Sequence, residues 1–170
     1  EKPDIGTFMK EWVSIYDSKS GERGIFNRVA SQKMAMRSGR RDGEHDFGTN
    51  PCSEIVLRNK QFCNLSEVVI RPDDDEETLE EKVEIATIFG TIQSTLSNFR
   101  YLTKKWKENT EEERLLGVSL TGIMDNRILS GDILNQQVLT DMLTNLKDHA
   151  IDTNKKWSKI LGVNQATAIT

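Results

Sequence analysis

The fold is decided by a predicted strand, Cys63-Asn64-Leu65-Ser66-Glu67-Val68-Val69-Ile70, and by the segments that follow it. Its content of β-branched residues is typical of strands. A long helix is predicted from Thr78 toward Trp106, and a further strand is predicted at residues 117–122. Because short strands alternate with helices longer than about ten residues, the pattern predicts α/β packing.

The helix that begins near Thr78 is predicted to have one apolar face at three- and four-residue spacing. Thr78 and Glu81 are expected to form a capping box. The acidic run at residues 73–77 is interpreted as a response to the helix dipole rather than as a metal site. The expected inward face consists of Leu79, Val83, Ala86, Phe89, Ile92, Leu96, Phe99 and Leu102.

Other helices are predicted on both sides of this region. An amphipathic helix is expected from Ile5 to Tyr16, with Asp4 as its N-cap, and a short helix from Asn27 to about Met36. A last helix is expected from Asn135 to Leu161, followed by Gly162 at the C′ position. Its predicted buried stripe is Val138, Leu139, Met142, Leu143, Leu146, Ala150, Trp157 and Ile160. Residues 166–170 are predicted to begin a strand.

Composition sets limits on the class of protein. A chain of 170 residues fits one domain, and its net charge of -4 argues against non-specific nucleic-acid binding. No apolar run approaches the roughly 20 residues needed to span a bilayer, so we expect a cytoplasmic protein without a membrane partner. With two cysteines and two histidines, the chain has too few ligands for a zinc site, and we predict no metal.

A chemically rich segment precedes the predicted strands. Residues 40–48 are interpreted as a loop and Glu54–Leu57 as a strand, so Asn50, Cys52 and Glu54 would lie where the loop enters the strand. If the segment is extended, the amide, the thiol and the carboxylate lie on one side and can act together on a hydroxyl-bearing carbon. In the alternative interpretation the segment is only the entrance to a strand, where Asn50 is a cap, Cys52 is a packing residue and Glu54 is solvated. The residue pattern leaves the chemical and the structural interpretation open.

The segment Asn50-Pro51-Cys52-Ser53-Glu54 resembles the finger loop of ribonucleotide reductases. Three further stretches, at residues 20–28, 62–65 and 114–125, resemble segments of that family in the same order. The resemblance implies that residues 1–170 are a single segment of the catalytic domain, a ten-stranded α/β barrel, cut at both ends. A plain truncation is favoured over a junction with a protein-splicing element after Thr170.

The resemblance also implies a role for each residue of the site. Cys52 would hold a thiyl radical that abstracts the 3′ hydrogen of a ribonucleotide, and Glu54 would be the general base on the 3′ hydroxyl. Asn50 would hydrogen-bond the ribose hydroxyls, so Asn50 and Glu54 would also bind substrate. Cys63 would be one of two redox-active thiols that supply electrons. Its partner is expected before Glu1, and a phosphate-gripping loop after Thr170.

The short interval between Cys52 and Cys63 resembles the adenosylcobalamin-dependent, triphosphate-reducing enzymes more than the iron-dependent ones. Adenosylcobalamin is therefore the implied cofactor, although no residue here is recognised as binding it. The implied partners are a ribonucleotide, the remaining segments of the enzyme and an external dithiol such as thioredoxin. The segment alone is expected to be inactive.

Two alternatives remain at the level of sequence. One is a large-subunit segment of an iron-dependent reductase, and the other is a non-catalytic helical interaction or regulatory module that keeps the loop as a relic. Arg40 and Arg41 can meet a nucleotide phosphate, but loop arginines beside acidic residues are more often solvated, and we favour that interpretation. His45 is interpreted as a surface residue.

Overall fold

The computed structural model describes residues 3–21, 23–37, 39–132 and 136–170. The elements follow in the order α1 (Ile5–Ser18), α2 (Arg28–Arg37), β1 (Phe47–Thr49), β2 (Val56–Arg58), β3 (Asn64–Val69), α3 (Glu76–Gln93), α4 (Lys104–Glu113), β4 (Leu116–Thr121), a 3₁₀ turn (Ile123–Asp125) and α5 (Gln136–Leu161). This order confirms the predicted mixture of helices and strands. The strands of the described residues form two small sheets.

The central sheet pairs β3 with β4 in parallel, from Asn64 opposite Leu116 to Val69 opposite Thr121. The chain end extends this sheet on the other side of β4, where the amide of Leu116 donates to the carbonyl of Ala168 at 3.2 Å and the amide of Thr170 donates to the carbonyl of Leu116 at 3.0 Å. The strand-like character predicted for residues 166–170 is therefore confirmed.

The hydrophobic core lies between this sheet and the two long helices. Helix α3 contacts both strands and α5. Burial of their apolar side chains is the main source of stability in this half of the molecule. The buried cluster consists of Val68, Ile70, Leu79, Val83, Ala86, Leu116, Leu129, Met142, Leu146, Ala150, Ala166 and Ile169.

The face that α3 buries differs from the prediction after its third turn. Phe89 is 65% exposed, whereas Thr87 and Thr91 are almost fully buried. Each threonine hydroxyl donates to the carbonyl four residues earlier, at 2.7 Å, and Asn154 of α5 donates to the Thr91 hydroxyl at 3.0 Å. These hydrogen bonds satisfy the hydroxyls and permit their burial, which a pattern based on apolar residues does not detect.

The single long helix predicted from Thr78 toward Trp106 is wrong, because two helices occupy this range. Helix α3 ends at Gln93, and α4 begins at Lys104 after short turns. The connection is rich in serine, threonine and asparagine, which compete for backbone hydrogen bonds and so favour turns over helix. The carbonyl of Ser94 accepts from Arg114 Nη1 at 2.5 Å, which fixes the end of α3.

The N-terminus of α3 is capped by Asp75, so the predicted capping box of Thr78 and Glu81 is wrong. The Asp75 carboxylate accepts from the amide of Thr78 at 2.9 Å and from its hydroxyl at 2.7 Å. Asp74 instead pairs with Lys82 at 2.6 Å. The acidic run thus serves the helix start, as predicted from the helix dipole.

The remaining helices agree with their predicted positions but not always with their predicted burial. Asp4 caps α1 as predicted, yet α1 has no buried residue in this structure. In α5 the stripe is buried at Met142, Leu146 and Ala150, whereas Val138, Leu143 and Ile160 are exposed and Leu139 and Trp157 are half-buried. The predicted start at Asn135 lies outside the described residues. Gly162 has the positive φ of 67° expected at C′.

Among the described helices, none combines the length and apolar character needed to cross a membrane.

Candidate functional site

The candidate site is carried by a hairpin that β1 and β2 form in antiparallel pairing. Phe47 lies opposite Arg58, and Thr49 lies opposite Val56. Residues 40–48 are therefore not all loop, since Phe47 and Gly48 belong to β1. The strand predicted to start at Glu54 starts instead at Val56, because residues 50–55 are needed to reverse the chain.

The turn of this hairpin contains the residues of the motif. The amide of Ser53 donates to the carbonyl of Asn50 at 3.0 Å, and the amide of Asn50 donates to the carbonyl of Ile55 at 3.3 Å. Ser53 adopts a positive φ of 66°. An extended segment with three side chains on one side is therefore wrong. Cys52 lies at the exposed end of the turn.

Chain reversal brings Asn50 and Glu54 into contact. The Asn50 Nδ2 donates to Glu54 Oε1 at 2.5 Å, and its Oδ1 accepts from the amide of Ile55 at 3.0 Å. One amide side chain thus stabilises the turn and orients the carboxylate. A carboxylate held in this way can accept a proton from a hydroxyl group that enters beside it.

Glu54 and Cys63 line the same cleft, which has a volume of about 640 Å³. The cleft is also bordered by Arg40, Arg41 and Lys147. Its size is within the range of sites for small ligands. Of the four predicted site residues, Glu54 and Cys63 line the cleft. Asn50 does not line it but donates a hydrogen bond to Glu54, and Cys52 lies outside the lining.

Cys63 is half-buried directly before β3. Burial raises its pKa to about 12; the positive charge of Arg41 opposes this shift and the negative charge of Glu54 adds to it. The group is therefore a neutral thiol near pH 7. The backbone of Gly117 packs closely beside Cys63 and Leu65. A Cβ atom on Gly117 would lie 3.8 Å from the Cys63 sulfur and 2.5 Å from Leu65 Cδ2.

Arg41 is buried, so its interpretation as a solvated loop residue is wrong. Its guanidinium donates to both carboxylate oxygens of Glu113, at 3.0 and 2.8 Å, and to the carbonyl of Val56 at 2.8 Å. It also lies over the ring of Phe47, 4.6 Å from the centroid. Because Phe47 begins β1 and Val56 begins β2, this one side chain joins both strands of the hairpin to the end of α4.

Other polar residues extend this connection, and sequence reasoning missed them. Gln61 Oε1 accepts from the amide of Arg58 at 2.8 Å, and Arg58 donates to Asn109 Oδ1 at 3.0 Å and to Glu112 at 3.0 Å. Arg41 and Glu113 are 72 residues apart, and the sequence has no local signal for their pairing. Their mutual satisfaction explains the burial of charged groups in a small protein.

Arg40 and His45 are both half-buried rather than fully exposed. Arg40 Nη1 donates to the carbonyl of Ala166 at 3.0 Å, and burial lowers the pKa of its guanidinium. His45 Nε2 lies 3.6 Å from Asp42 Oδ2. In the part of the chain that the structure describes, no three His, Cys, Asp or Glu side chains are grouped as a metal site.

Comparison with known proteins finds similarity to one kind of enzyme. The chain is 30% identical over 130 residues to the adenosylcobalamin-dependent ribonucleoside-triphosphate reductase of Lacticaseibacillus paracasei, covering 70% of this chain and 17% of that protein. It is 34% identical over 123 residues to the reductase of the same name from Levilactobacillus brevis, covering 68% and 16%. The protein of that name from Lactobacillus acidophilus is 29% identical over 170 residues, covering 85% and 22%. No family model and no solved structure matches the chain.

These relatives confirm the resemblance to ribonucleotide reductases, and within them to the adenosylcobalamin-dependent kind that the Cys52 to Cys63 interval favours. The matched part spans only about a sixth to a fifth of the length of the relatives, 16% to 22% in these three comparisons. The similarity therefore concerns a segment of a larger catalytic protein.

Proposed function

We propose that this chain, which is similar to a segment of adenosylcobalamin-dependent ribonucleoside-triphosphate reductases, forms part of the catalytic barrel of such an enzyme. Residues 1–170 would be one segment of a ten-stranded α/β barrel, with the hairpin turn at residues 50–55 as its finger loop. The whole enzyme would reduce ribonucleotides, as triphosphates, to deoxyribonucleotides for DNA synthesis.

The observation that carries this proposal is the meeting of Glu54 and Cys63 at one cleft, with Asn50 bonded to the Glu54 carboxylate at 2.5 Å. Reduction of a ribose needs a base at a hydroxyl group and a thiol as reductant within reach of the same sugar. A carboxylate oriented by an amide and a protonated thiol supply those two groups.

Each side chain then has one task in the reaction. The thiyl radical of Cys52 removes the 3′ hydrogen, Glu54 takes the 3′ hydroxyl proton, and the 2′ hydroxyl leaves as water. Asn50 holds the ribose hydroxyls. Cys63 and a second thiol from another segment of the enzyme supply two electrons and two protons and become a disulfide, and Cys52 recovers its radical when it returns the hydrogen to the 3′ carbon. An external dithiol such as thioredoxin then reduces the disulfide.

Adenosylcobalamin, when bound, supplies the radical that Cys52 receives. The exposed position of Cys52 at the end of the turn fits a radical source that approaches from outside this segment. We assign no residue of this chain to binding of the cofactor.

The test is substitution of Cys52 by Ser in the intact reductase that contains this segment. Reduction should be abolished while nucleotide binding is retained, because serine keeps the shape of the turn and removes the sulfur. Ser53→Ala in the same turn is the matched control and should retain turnover. Normal turnover by Cys52→Ser would contradict the radical role and favour a non-catalytic module.

The cofactor is tested separately by assaying the intact enzyme with and without adenosylcobalamin. Activity should require the added cofactor and should not require an iron-containing partner subunit. Full activity in its absence would instead support an iron-dependent reductase.

A further inference from the structure

A second cleft borders Cys63, apart from the one that contains Glu54. This aromatic cleft has a volume of about 270 Å³ and is lined by Phe62, by Asn64 and by residues of α3, α4 and the segment between them. Among the described residues, Cys63 alone borders both clefts. A molecule bound in the aromatic cleft would therefore lie beside the proposed electron donor but outside the site that contains Glu54.

Two phenylalanine rings give the aromatic cleft an apolar wall. The rings of Phe62 and Phe99 meet edge to face, with centroids 5.1 Å apart and planes at 62°. Trp106 of α4 stacks on Phe62 at 4.7 Å between centroids, which holds the Phe62 ring in place. Phe62 is nevertheless 38% exposed, so part of its surface remains free for contact. Because aromatic rings favour edge-to-face and offset stacked contacts with one another, this wall suits a further planar ring.

Thr110 of α4 gives the same cleft a polar group. The residue lines the cleft and is only 2% exposed. The buried hydroxyls of Thr87 and Thr91 donate to the backbone of α3, whereas the Thr110 hydroxyl has no hydrogen-bond partner within the part of the chain that the structure describes. A buried hydroxyl without a partner is unfavourable, because its bonds to water are lost and not replaced. Since threonine in a helix adopts two side-chain rotamers, this hydroxyl can turn toward a ligand in the cleft.

A second donor without a partner follows one turn later. Arg114, the C-cap of α4, is 8% exposed, and its amide donates to the carbonyl of Thr110 at 2.8 Å. Its Nη1 donates to the carbonyl of Ser94, which belongs to the cleft lining, whereas its Nε has no partner among the described residues. Both unpartnered groups can donate a hydrogen bond, so this side of the cleft favours a ligand oxygen that accepts one.

We propose that the aromatic cleft binds a small molecule with one aromatic ring and one oxygen atom that accepts a hydrogen bond from Thr110. The ring would pack against Phe62 and Phe99. A volume of about 270 Å³ is near the lower limit of sites for small ligands, which combine apolar walls with a few polar groups that fix orientation. Neither Cys52 nor Glu54 borders this cleft, so the site does not depend on the proposed reaction.

The test is titration of the 170-residue chain with phenol and, separately, with toluene, followed by ligand-observed NMR. The two probes share one ring and differ by a hydroxyl and a methyl group, and phenol should bind in the millimolar range. Thr110→Val should weaken phenol binding about three- to tenfold, because valine keeps the shape of threonine and removes the hydroxyl. The same variant should change toluene binding by less than about twofold, because toluene forms no hydrogen bond.

Phe99→Leu tests the apolar wall and should weaken the binding of both probes, since leucine keeps apolar volume and removes the ring. Thr144→Val is the matched control for Thr110, because Thr144 is exposed on α5 and its hydroxyl donates to the carbonyl of Thr140 at 2.7 Å. Phe89→Leu is the matched control for Phe99, because Phe89 is 65% exposed and lies outside the lining. Both controls should bind phenol as the unsubstituted chain does.

Thermal unfolding of each variant establishes that it is folded. Thr110→Val should unfold at the same or a higher temperature than the unsubstituted chain, because it removes a buried hydroxyl without a partner. Unchanged phenol binding by this folded variant would overturn the proposal, as would equal losses for phenol and toluene. Absence of phenol binding by the unsubstituted chain would also overturn it.

A second titration uses the intact reductase that contains this segment. Phenol binding there, with the same loss in Thr110→Val, would support the proposal. Absence of binding by the intact enzyme, when the 170-residue chain does bind phenol, would mean that another segment fills the cleft and would overturn the assignment of a small molecule. These titrations use no radical, cobalamin or reductant, so their outcome is independent of the test with Cys52→Ser.

Discussion

The hairpin of β1 and β2 and the core of β3, α3, β4 and α5 are held in place by different forces. The core buries a continuous set of apolar side chains that includes Leu79, which is fully inaccessible to solvent. The hairpin has strands of three residues each, and the charged side chain of Arg41 ties them to α4. The free energy gained by burying apolar surface does not depend on the relative orientation of the side chains. The hydrogen bonds between Arg41 and Glu113, in contrast, require a defined distance and angle.

This difference explains how the residues of the site are held at the cleft. The hairpin determines where Glu54 lies at the cleft, while β3 determines where Cys63 lies. Separate sheets therefore position the two residues. The ion pair of Arg41 and Glu113 and the hydrogen bonds of Arg58 with Asn109 and Glu112 connect the hairpin to α4. Substitutions should therefore separate the stability of the core from the placement of the site.

The largest effect is expected from Arg41→Met, which breaks the connection and leaves Glu113 buried without its partner. The free energy of unfolding should fall by about 3–5 kcal/mol, as when one member of a buried pair is removed. Chemical denaturation measures this loss. The double variant Arg41→Met/Glu113→Leu removes both charges and should recover part of the stability. A loss below about 1 kcal/mol for Arg41→Met would contradict the role of the pair.

A slightly smaller effect is expected from Leu79→Ala in the core. Removal of this side chain should reduce the free energy of unfolding by about 2–5 kcal/mol, because it leaves a cavity between α3 and the sheet. Phe89→Ala on the same helix is the matched control, since Phe89 is 65% exposed and should change stability by about 0.5 kcal/mol or less. Equal losses for both variants would show that α3 buries the face predicted from the sequence.

The two thiols should differ in their reaction with iodoacetamide. Only thiolate reacts, and with a pKa of about 12 Cys63 has about one thiolate in ten thousand at pH 8. Cys52 is exposed and should be alkylated at least tenfold faster. The rates are measured by mass spectrometry in Cys52→Ser and Cys63→Ser variants. The rate at Cys63 should rise with pH up to about 12, and a plateau near pH 8 would refute the burial of this thiol.

The smallest effect is expected in the turn itself. Ser53 adopts a φ of 66°, which favours glycine over residues with a Cβ atom. Ser53→Gly should therefore raise the free energy of unfolding by roughly 0.5–1 kcal/mol. The relief of backbone strain in the folded state is partly offset by the greater conformational entropy of the unfolded chain. Denaturation of this variant beside Ser66→Gly, a serine within β3 where glycine should destabilise, provides the comparison.

Sequence patterns predicted the core more completely than the site. The periodicity of Leu79, Val83 and Ala86 placed the first turns of α3 correctly, and the strand pattern placed β3 and β4, because repeated apolar contacts leave a repeated signal. The burial of Thr87 and Thr91 left no such signal, since it depends on hydrogen bonds to the helix backbone and to Asn154.

The residues of the site were found in the sequence, but their arrangement was not. Asn50, Cys52 and Glu54 were recognised from their spacing and resemblance, whereas their turn conformation depends on hydrogen bonds of Asn50 with Ile55 and Ser53. The pairing of Arg41 with Glu113 depends on the packing of distant segments. Such pairings follow from the assembled fold and cannot be derived from local composition.

The missing side chain of Gly117 has a consequence for the chemistry of the neighbouring strand. To form a disulfide, the sulfur of Cys63 must rotate until a second sulfur lies at about 2.05 Å with a dihedral angle near 90°. A methyl group on Gly117 would contact that sulfur at 3.8 Å and displace Leu65. The surroundings of the proposed electron donor thus depend on a residue that takes no part in electron transfer, because any larger residue at position 117 would force Leu65, two residues after Cys63, to move.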